Sequence, residues 1–505
     1  MMAELDVTRI ISSLVYDYNK RVESGVQQMM LPDTEQDKKC SPDVEGRIGL
    51  VLVELMAERF RRFHDSLMVF NGSRWELIDP EQIALVVAGF FKVMKVAPCY
   101  QVRSVGHICK MVLRSPDMGN FEPSRSILFF RNTALVLGRG GDMQLMEKSP
   151  KLMTNIYLDF AYNEFATCEG WEKFLSIVLD DGDAIKVIQE FLGCMLIDKE
   201  ELSIEKALFC YGTGSNGKSV IFETLQAMLG DNLTNVGIEN VNNKNGGDYF
   251  TASLVGKLLA YNSDAEAKDI GSGKFKQLIS KEKIAVRPIR QMPFESDDWP
   301  MFMANINRGL ITTDSSDGFW RRNIVIWFNK VFSDNPDPRM GQLKADRSFK
   351  GTLKSEIPGI FNWVLIGRQR IIKQRGVFTK SKSIDEITED MRNSSTGVYG
   401  FLADYCYSPS DSTGRGELKK MLSKDIYKQY CDWCLENGYR DPKHIGGFKN
   451  DMINSKFTWV KCMKVDGVVS SGYILYKLPK EVKIEIDAGE EDMDLWGDDD
   501  GDYPG

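Results

Sequence analysis

A short run in the middle of the chain has the residue types and the spacing of a phosphate-binding loop. From Gly212 the sequence is Gly-Thr-Gly-Ser-Asn-Gly-Lys-Ser, a glycine followed by four residues and then Gly-Lys-Ser. Glycines let backbone N–H groups turn inward around phosphate oxygens, Lys218 adds a positive charge for the β- and γ-phosphates, and Ser219 offers a hydroxyl to Mg²⁺. The residues predicted to hold ATP are Gly212, Thr213, Gly214, Ser215, Asn216, Gly217, Lys218 and Ser219.

The residues on either side of this loop support the same prediction. An apolar run at 208–211 is typical of a buried strand, and 220–229 has the spacing of a helix that ends at Gly230. A strand, a glycine-rich loop and a helix in this order place the positive end of the helix dipole at the phosphates. A chance glycine-rich turn is the alternative. Such a loop by itself does not distinguish kinases, transporters, packaging motors and helicases.

Acidic residues follow a second apolar run, at 258–261. Asp264 and Glu266 come directly after it, at the tip of the predicted strand. One acid beside a phosphate-binding loop can hold the Mg²⁺ shell, and a second can polarise the attacking water. Asp264 is therefore predicted to bind the metal together with Ser219, and Glu266 to act on the water. A surface acidic turn is the alternative.

An amide and two arginines have positions that suit the same chemistry. Asn307 follows the apolar run 299–304, and an amide at a strand tip can position water against a γ-phosphate. Arg321 and Arg322 directly precede the apolar run 323–328, where an arginine could reach a neighbouring subunit's ATP and neutralise transition-state charge. The alternatives are a turn cap for the amide and a pair of surface cations for the arginines.

Together these motifs resemble those of the superfamily 3 helicases. The closer resemblance is to the phage and plasmid primase-helicase group, which is related to poxvirus-type primase-helicases. It covers residues 125–335, and its most specific parts are the Asn-Gly-Lys-Ser end of the loop and the Asp-Gly-Phe-Trp-Arg-Arg block at 317–322. The resemblance implies AAA+-like domains in a hexameric ring with ATP sites between subunits. It also implies that Asn307 acts rather than Asn305, and Arg322 rather than Arg321.

The same family implies a hairpin between the acid-ended strand and the asparagine strand, pointing into the ring channel. Here that stretch runs from Lys274 to Arg290, and cations on it would bind DNA phosphates without distinguishing bases. A solvated charged face is the alternative. The sequence Ser-Lys-Glu-Lys at 280–283 departs from the Gly-Asp turn common in the family, which leaves the hairpin's register open. The predicted DNA contacts are Lys281, Lys283, Arg287 and Arg290.

The elements around these motifs divide the chain into segments. Apolar residues have helical spacing over 48–63 and 80–96, whereas short apolar strands alternate with helices from 206 to 332, which predicts an α/β fold. Two apolar runs in 125–141 predict a short hairpin. The predicted segments are 1–124, mostly helical; 336–379, a helical lid or linker; and 479–505, a disordered acidic tail. The resemblance implies that 125–200 is a collar for oligomerisation, that 201–335 is the AAA+-like P-loop ATPase core, and that 380–478, helices closing with strands, is a winged-helix-like domain.

Composition and charge limit the compartment and the partners. The chain has 505 residues, of which 43% are hydrophobic and 27% charged, and its longest apolar run, 83–91, is too short to cross a bilayer. Ten scattered cysteines are typical of reduced thiols in a cytoplasm. The net charge of -8 includes ten acids after residue 484, so the remainder carries +2 and nucleic acid is not excluded. We expect a cytoplasmic protein with no membrane partner.

The leading hypothesis is an ATP-dependent DNA helicase of a phage or plasmid replication system, in the cytoplasm of a bacterial host. It predicts a homo-oligomer, a hexamer by resemblance, that binds single-stranded and forked duplex DNA. A separate primase or other replication protein is a further expected partner, since 1–120 has no visible primase motif. An ATP-dependent origin-binding initiator or loader is the alternative, which the winged-helix-like domain favours. A packaging ATPase is a further alternative, and the Trp-Arg-Arg block argues against it through the resemblance.

Overall fold

The computed structural model contains two compact units, which are described separately. The first comprises the described residues up to 388, and the second those from 389 onward. None of the helices in the described part of the chain is long and apolar enough to span a membrane. The described residues are 6–24, 42–64, 66–95, 102–235, 237, 247–265, 273–288, 293–307, 317–337, 339, 342–346, 348–394, 397–410, 414–436, 442–454 and 457–478.

The amino-terminal segment combines helices with a small antiparallel sheet that was not predicted. The helical spacing expected over 48–63 ends at Met56, because residues 60–63 form a strand instead. The next strand, Ser66–Phe70, is buried at every position, so its sequence lacks the alternation that marks a half-buried strand. The helices are Val7–Glu23, Pro42–Met56, Pro80–Val93 and Val102–Arg114, and the strands are Phe60–Phe63, Ser66–Phe70 and Trp75–Ile78.

The hairpin predicted in 125–141 is confirmed. Ile127–Phe130 pairs antiparallel with Ala134–Leu137. One more strand extends this sheet antiparallel on one side, a parallel strand extends it on the other, and two helices come next. These elements are Met143–Met146, Tyr157–Leu158, Glu169–Val178 and Gly182–Cys194.

A parallel sheet lies at the centre of the first unit, and the prediction of an α/β fold is confirmed. All of its strand pairings are parallel, so the carboxyl ends of the strands share one edge and the amino ends the other. Strands buried on both faces have near-continuous apolar sequences, as these do. In spatial order they are the arginine strand (Asn323–Trp327), the P-loop strand (Ala207–Tyr211), the asparagine strand (Met301–Ile306), the acid strand (Leu259–Asn262) and an edge strand (Leu233–Thr234).

Helices and two short strand pairs connect and follow the sheet. The helices are Lys218–Leu229, Gly247–Ala252, Gly273–Ile279, Asp317–Arg322, Phe349–Ser355, Ile357–Lys373 and Lys382–Ser394. The strand pairs are an antiparallel hairpin, Ile284–Val286 with Phe294–Ser296, and a parallel pair, Phe332–Ser333 with Leu343–Lys344.

The segments predicted as collar, ATPase core and lid share one hydrophobic core, which runs from Leu128 to Ile371. The collar helix Gly182–Cys194 packs closely on the helix Ile357–Lys373. The two backbones come so close at Gly367 that an added Cβ would lie 1.9 Å from the carbonyl oxygen of Gln189, so only glycine fits there. The long helix of the predicted lid is therefore an integral part of this core.

The second unit begins at residue 389, within the segment predicted as 380–478, and combines helices with a small antiparallel sheet. Aromatic side chains form its centre, with Phe448 4.8 Å from Tyr430 between ring centroids. The predicted acidic tail lies outside the described residues. The helices of this unit are Gly397–Asp404, Ser423–Glu436 and Ile445–Asn454, and the strands are Tyr407–Ser408, Glu417–Leu422, Thr458–Val465 and Val468–Lys477.

Candidate nucleotide-binding site

The sheet separates the predicted site residues into two groups at opposite edges. At the carboxyl edge, the P-loop begins after Tyr211, Asp264 follows the acid strand and Asn307 follows the asparagine strand. At the amino edge, Arg321 and Arg322 precede the arginine strand, whose first residue is level with the first residue of the P-loop strand. Five residues at about 3.3 Å each separate the two edges by roughly 15 Å. The loop, the acid and the amide therefore lie together, and the arginines do not.

Glycines determine the shape of the P-loop. Gly214 and Gly217 have φ angles of +121° and +88°, which side chains with a Cβ rarely adopt. A Cβ at Gly212 would lie 2.7 Å from the carbonyl oxygen of Phe328. Gly217 caps the helix Lys218–Leu229, so the first backbone N–H groups of this helix point toward the loop. The local geometry fits the phosphate-binding function that the spacing predicted.

Asn216 holds the loop against the segment that follows the arginine strand. Its Nδ2 donates to the carbonyl oxygens of Phe328 at 3.0 Å and Lys330 at 2.9 Å. Its Oδ1 accepts from the backbone N–H of Gly214 at 2.6 Å and from Nζ of Lys218 at 3.1 Å. Only 3% of Asn216 is exposed, so its amide supports the loop from inside. The sequence placed Asn216 in the ATP site but did not indicate these contacts.

Lys218 is buried beneath the loop. Its ammonium donates to the carbonyl oxygen of Gly212 as well as to Asn216. Burial lowers the pKa of Lys218, and the Asp264 carboxylate acts in the opposite direction. A phosphate group entering the loop would offer this charge stronger acceptors than the carbonyl and amide oxygens that it contacts here.

Asp264 and Asn307 meet at the carboxyl edge. Nδ2 of Asn307 donates to Oδ1 of Asp264 at 3.3 Å, and the backbone N–H of Asp264 donates to the side chain of Asn262 at 3.1 Å. Both Asp264 and Asn307 are exposed to the cavity side. Glu266, the residue predicted to act on water, lies outside the described residues.

Asn305 has a different position from Asn307. It is buried, and its Oδ1 accepts from the hydroxyl of Tyr261 at 2.8 Å. Its Nδ2 donates to the carbonyl of Ser263 at 3.2 Å, and its carbonyl accepts from the N–H of Ala265 at 2.9 Å. Burial raises the pKa of Tyr261 well above its usual value, so its hydroxyl stays protonated and donates. Asn305 and Tyr261 thus fix the turn that carries Asp264.

A cavity of about 710 Å³ joins these groups, and it includes walls that the sequence did not predict. The helix Glu169–Val178 forms one wall and the segment around 332–349 forms another. Their side chains come from residues distant in the sequence, so no local pattern connects them with the loop. The residues of these walls are Lys173, Phe174, Ile177, Val178, Phe332, Lys344, Ala345, Asp346 and Phe349.

The donor set fits Mg²⁺ bound together with a nucleotide. In the described part of the chain no three His, Cys, Asp or Glu side chains are grouped so as to hold a metal ion. Ser219 and Asp264 line the same cavity and offer one hydroxyl and one carboxylate. Mg²⁺ is commonly held by one or two carboxylates, waters and substrate phosphates, which this set would complete.

At the opposite edge, the two adjacent arginines differ. The guanidinium of Arg322 is engaged within the protein and its side chain is 21% exposed, whereas Arg321 is exposed. The carbonyl oxygen of Arg321 accepts a hydrogen bond from the ammonium of Lys206. The sequence did not indicate which of the two points outward.

The predicted DNA-binding stretch is partly helical. Lys274 lies on the helix Gly273–Ile279, and the hairpin itself comprises only Ile284–Val286 and Phe294–Ser296. Lys283 and Arg287 are exposed beside its first strand, and Lys283 lies 3.7 Å from the carboxylate of Glu295 on the second strand. Arg290 lies outside the described residues.

Lys281 does not have the outward position that was predicted. Its ammonium donates to the carbonyl oxygens of Trp299 and Pro300, and burial lowers its pKa well below the usual value. The side chain turns inward because it supplies donors to two carbonyls at the start of the asparagine strand. Its geometry is that of a structural bridge rather than of a phosphate contact.

The central part of the chain matches one protein family, and three solved structures are weakly similar to the chain. A family of unknown function (DUF5906) matches residues 210–322. No curated protein matches the chain. Three solved apo structures of the NrS-1 C-terminal region are weakly similar: one is 13% identical, covers 86% of this chain and 98% of its own, and has a TM-score of 0.45. The second and third are 12% identical, cover 84% and 86% of this chain and 98% and 99% of their own, and have TM-scores of 0.45 and 0.44.

Proposed function

We propose that this protein is an ATP-dependent DNA helicase of a phage or plasmid replication system, built on an AAA+-like P-loop core. The observation that carries the proposal is one cavity lined by the P-loop, Asp264 and Asn307 at the carboxyl edge of a parallel sheet. The alternative of a surface acidic turn does not explain why Asp264 contacts Asn307 and lines the same cavity as Lys218. ATP and Mg²⁺ are the proposed ligands.

Each residue of the cavity would have a distinct role in hydrolysis. Lys218 and the loop N–H groups would hold the β- and γ-phosphates, while Ser219 and Asp264 would hold Mg²⁺. Asn307 would orient a water whose oxygen bonds to the γ-phosphorus as the bond to the β,γ-bridging oxygen breaks, giving ADP and phosphate. Glu266 is retained as the proposed acceptor of the water's proton on sequence grounds alone.

The separation of the arginines from the cavity supports an oligomer. Arg321 and Arg322 lie at the amino edge, roughly 15 Å along the strands from their own P-loop. An arginine at that distance cannot contact the γ-phosphate of its own subunit, but it could contact that of a second copy. We propose a homo-oligomer, hexameric by resemblance, in the cytoplasm of a bacterial host.

The hairpin supplies the proposed DNA contacts. Lys283 and Arg287 are exposed beside it, and Arg290 is retained from the sequence. Contacts from cations to phosphates are independent of base sequence, which suits movement along single-stranded DNA and forked duplexes. A primase or another replication protein is the further proposed partner.

The second unit keeps an initiator or loader as the alternative function. Its helix Ile445–Asn454 is followed by the long hairpin Thr458–Lys477, an arrangement that is winged-helix-like and suits duplex binding. Two cations near this helix are engaged within the unit: Lys443 pairs with Asp451 at 2.7 Å and Lys449 lies over the Trp459 ring. These contacts weaken the case for a DNA surface made by those two lysines.

Two measurements on the purified chain test the proposal. The first is ATP hydrolysis with and without single-stranded DNA, and the second is strand separation on a forked duplex. We expect DNA to stimulate hydrolysis, and strands to separate only with Mg²⁺ and a hydrolysable nucleotide. Hydrolysis without strand separation, with specific binding of a duplex, would favour the initiator or loader. An absence of Mg²⁺-dependent hydrolysis in oligomeric protein would rule out both.

Tyr261→Phe is expected to slow hydrolysis without preventing ATP binding. The change leaves the buried Oδ1 of Asn305 without its donor and loosens the turn that carries Asp264. Since misplacement by about 1 Å can cost about 100-fold in rate, we expect kcat to fall by roughly 10-fold and KM for ATP to change less. The control is Tyr249→Phe, whose residue is 46% exposed. Equal kcat values for the two variants would contradict the assignment.

A further inference from the structure

Arg322 is held within its own subunit by three groups. Its Nε donates to Oγ of Ser280 at 3.2 Å, and its Nη1 donates to the carbonyl oxygen of Gly318 at 3.0 Å. Its Nη2 lies 3.0 Å from Oε2 of Glu205. Reaching toward a second copy of the chain would break all three contacts and remove the partner of the Glu205 carboxylate. These contacts therefore hold the Arg322 guanidinium within its own subunit and not in a position to contact a neighbouring subunit's ATP.

Arg321 has the opposite environment. Successive residues on a helix point about 100° apart, so Arg321 does not share the inward direction of Arg322. The Arg321 side chain is exposed, while its carbonyl oxygen is held by the ammonium of Lys206. This contact fixes the backbone that carries the guanidinium and leaves the guanidinium itself at the surface of the amino edge.

The partner of Arg322 belongs to the base of the hairpin. Ser280 directly precedes Lys281, whose ammonium bridges to the carbonyls of Trp299 and Pro300 on the other side of the hairpin. The indole N–H of Trp299 donates back to the carbonyl of Glu282 at 2.7 Å. These cross-contacts join the two ends of the hairpin directly beside Ser280, the residue that accepts from Arg322.

We infer that Arg321 is the arginine that completes a neighbouring subunit's ATP site, and that Arg322 is a positioning residue that couples Arg321 to the hairpin through Ser280. The inference rests on the proposed function and reverses the order of the two arginines that the spacing implied. DNA phosphates bound at the hairpin would shift its base, and the Ser280–Arg322 hydrogen bond would transmit that shift to the helix that carries Arg321. The hairpin would thereby set the hydrolysis rate of the adjacent site.

The two arginine variants separate catalysis from coupling. Arg321→Ala is expected to lower hydrolysis by roughly 1,000-fold both with and without DNA, because a trans-acting arginine contributes at least that much. Arg322→Gln is expected to lose the stimulation by DNA and to lower the hydrolysis measured without DNA far less than Arg321→Ala does. The reverse pattern, with Arg322→Gln inactive and Arg321→Ala nearly normal, would overturn the inference.

Ser280 provides a test that does not depend on removing a charge. Ser280→Ala is expected to retain the rate without DNA and to reduce the DNA stimulation by roughly 5-fold or more, the size of a typical coupling between sites. Ser280→Thr, which keeps the hydroxyl, should restore the stimulation. If Ser280→Ala is stimulated as strongly as the wild type, the coupling is absent.

A mixing experiment tests whether Arg321 acts on the ATP site of a neighbouring subunit. Mixing Arg321→Ala subunits with Lys218→Ala subunits should recover hydrolysis, because a P-loop from one variant meets an arginine from the other. No recovery, in mixtures that form joint oligomers, would place the action of Arg321 elsewhere. The wild type serves as the reference throughout. Wild-type protein that hydrolyses no ATP would contradict the proposed function, whereas stimulation by DNA that is as strong in Arg322→Gln and Ser280→Ala as in the wild type would contradict only the coupling.

Discussion

Lys218→Ala is expected to lower the rate of ATP hydrolysis by roughly 100- to 1,000-fold, the effect of removing one preorganised electrostatic contact to a transition state. Lys218 is 6% exposed and its ammonium lies beneath the loop, where water does not screen its charge strongly. No second lysine of the P-loop can replace it, since Gly212–Ser219 contains only this one. Strand separation should be lost together with hydrolysis.

Steady-state hydrolysis and equilibrium binding of a labelled ATP analogue are the measurements for Lys218→Ala. The matched control is Lys186→Ala, because Lys186 is a half-exposed lysine that pairs with Asp183 on the surface of the collar helix. We expect the control to hydrolyse ATP at the wild-type rate. A Lys218→Ala protein that is folded and retains hydrolysis within about 3-fold of the wild type would place catalysis away from this loop.

Arg368→Ala is expected to lower the free energy of unfolding of the first unit by about 3–5 kcal/mol, the usual cost of breaking a buried ion pair. The side chain is 1% exposed and pairs at 3.1 Å with Glu201, which is itself 10% exposed. Its Nε also donates to the carbonyl of Leu196 at 2.9 Å, and its Nη2 to that of Gly138 at 3.2 Å. Removing it leaves a buried carboxylate and two carbonyls without this donor.

Urea denaturation combined with hydrogen exchange in the helix Gly182–Cys194 would measure this loss in the first unit. The control is Lys382→Ala, whose pair with Glu386 has side chains that are 89% and 63% exposed. Exposed pairs of this kind contribute little, so we expect a change of about 0.5 kcal/mol or less. Equal shifts for the two variants would show that Arg368 does not join the collar and the long helix energetically.

Several elements were predictable because their signals are local. The hairpin in 125–141 follows from two apolar runs around a polar turn, and the alternation of strands with helices gave the α/β fold. The amino-terminal sheet was missed because Ser66–Phe70 is buried throughout and shows no alternation. The helix Gly273–Ile279 was taken as part of the hairpin because its lysines continue the charge pattern of the residues that follow.

The walls of the cavity could not be predicted from local sequence patterns. Phe174 and Phe349 both line it and their ring centroids are 5.7 Å apart, yet the two residues are 175 positions apart in the sequence. Nothing in either local sequence indicates the other. Only the packing of the collar helices against the core brings them to the mouth of the P-loop.

The sequence by itself predicted a P-loop, an acid and an amide after the next strands, and cations around them, and the structure brings the loop, Asp264 and Asn307 to one cavity. It could do so because a phosphate loop requires glycines and a lysine at fixed spacing within one strand, loop and helix. The tertiary structure decided where each side chain points. Strand order placed the arginines at the edge opposite the loop, and contacts with carbonyl and carboxylate oxygens hold Lys281 and Arg322 inward. The direction in which a side chain points depends on neighbours that are distant in the sequence, and the charge and spacing of nearby residues do not reveal those neighbours.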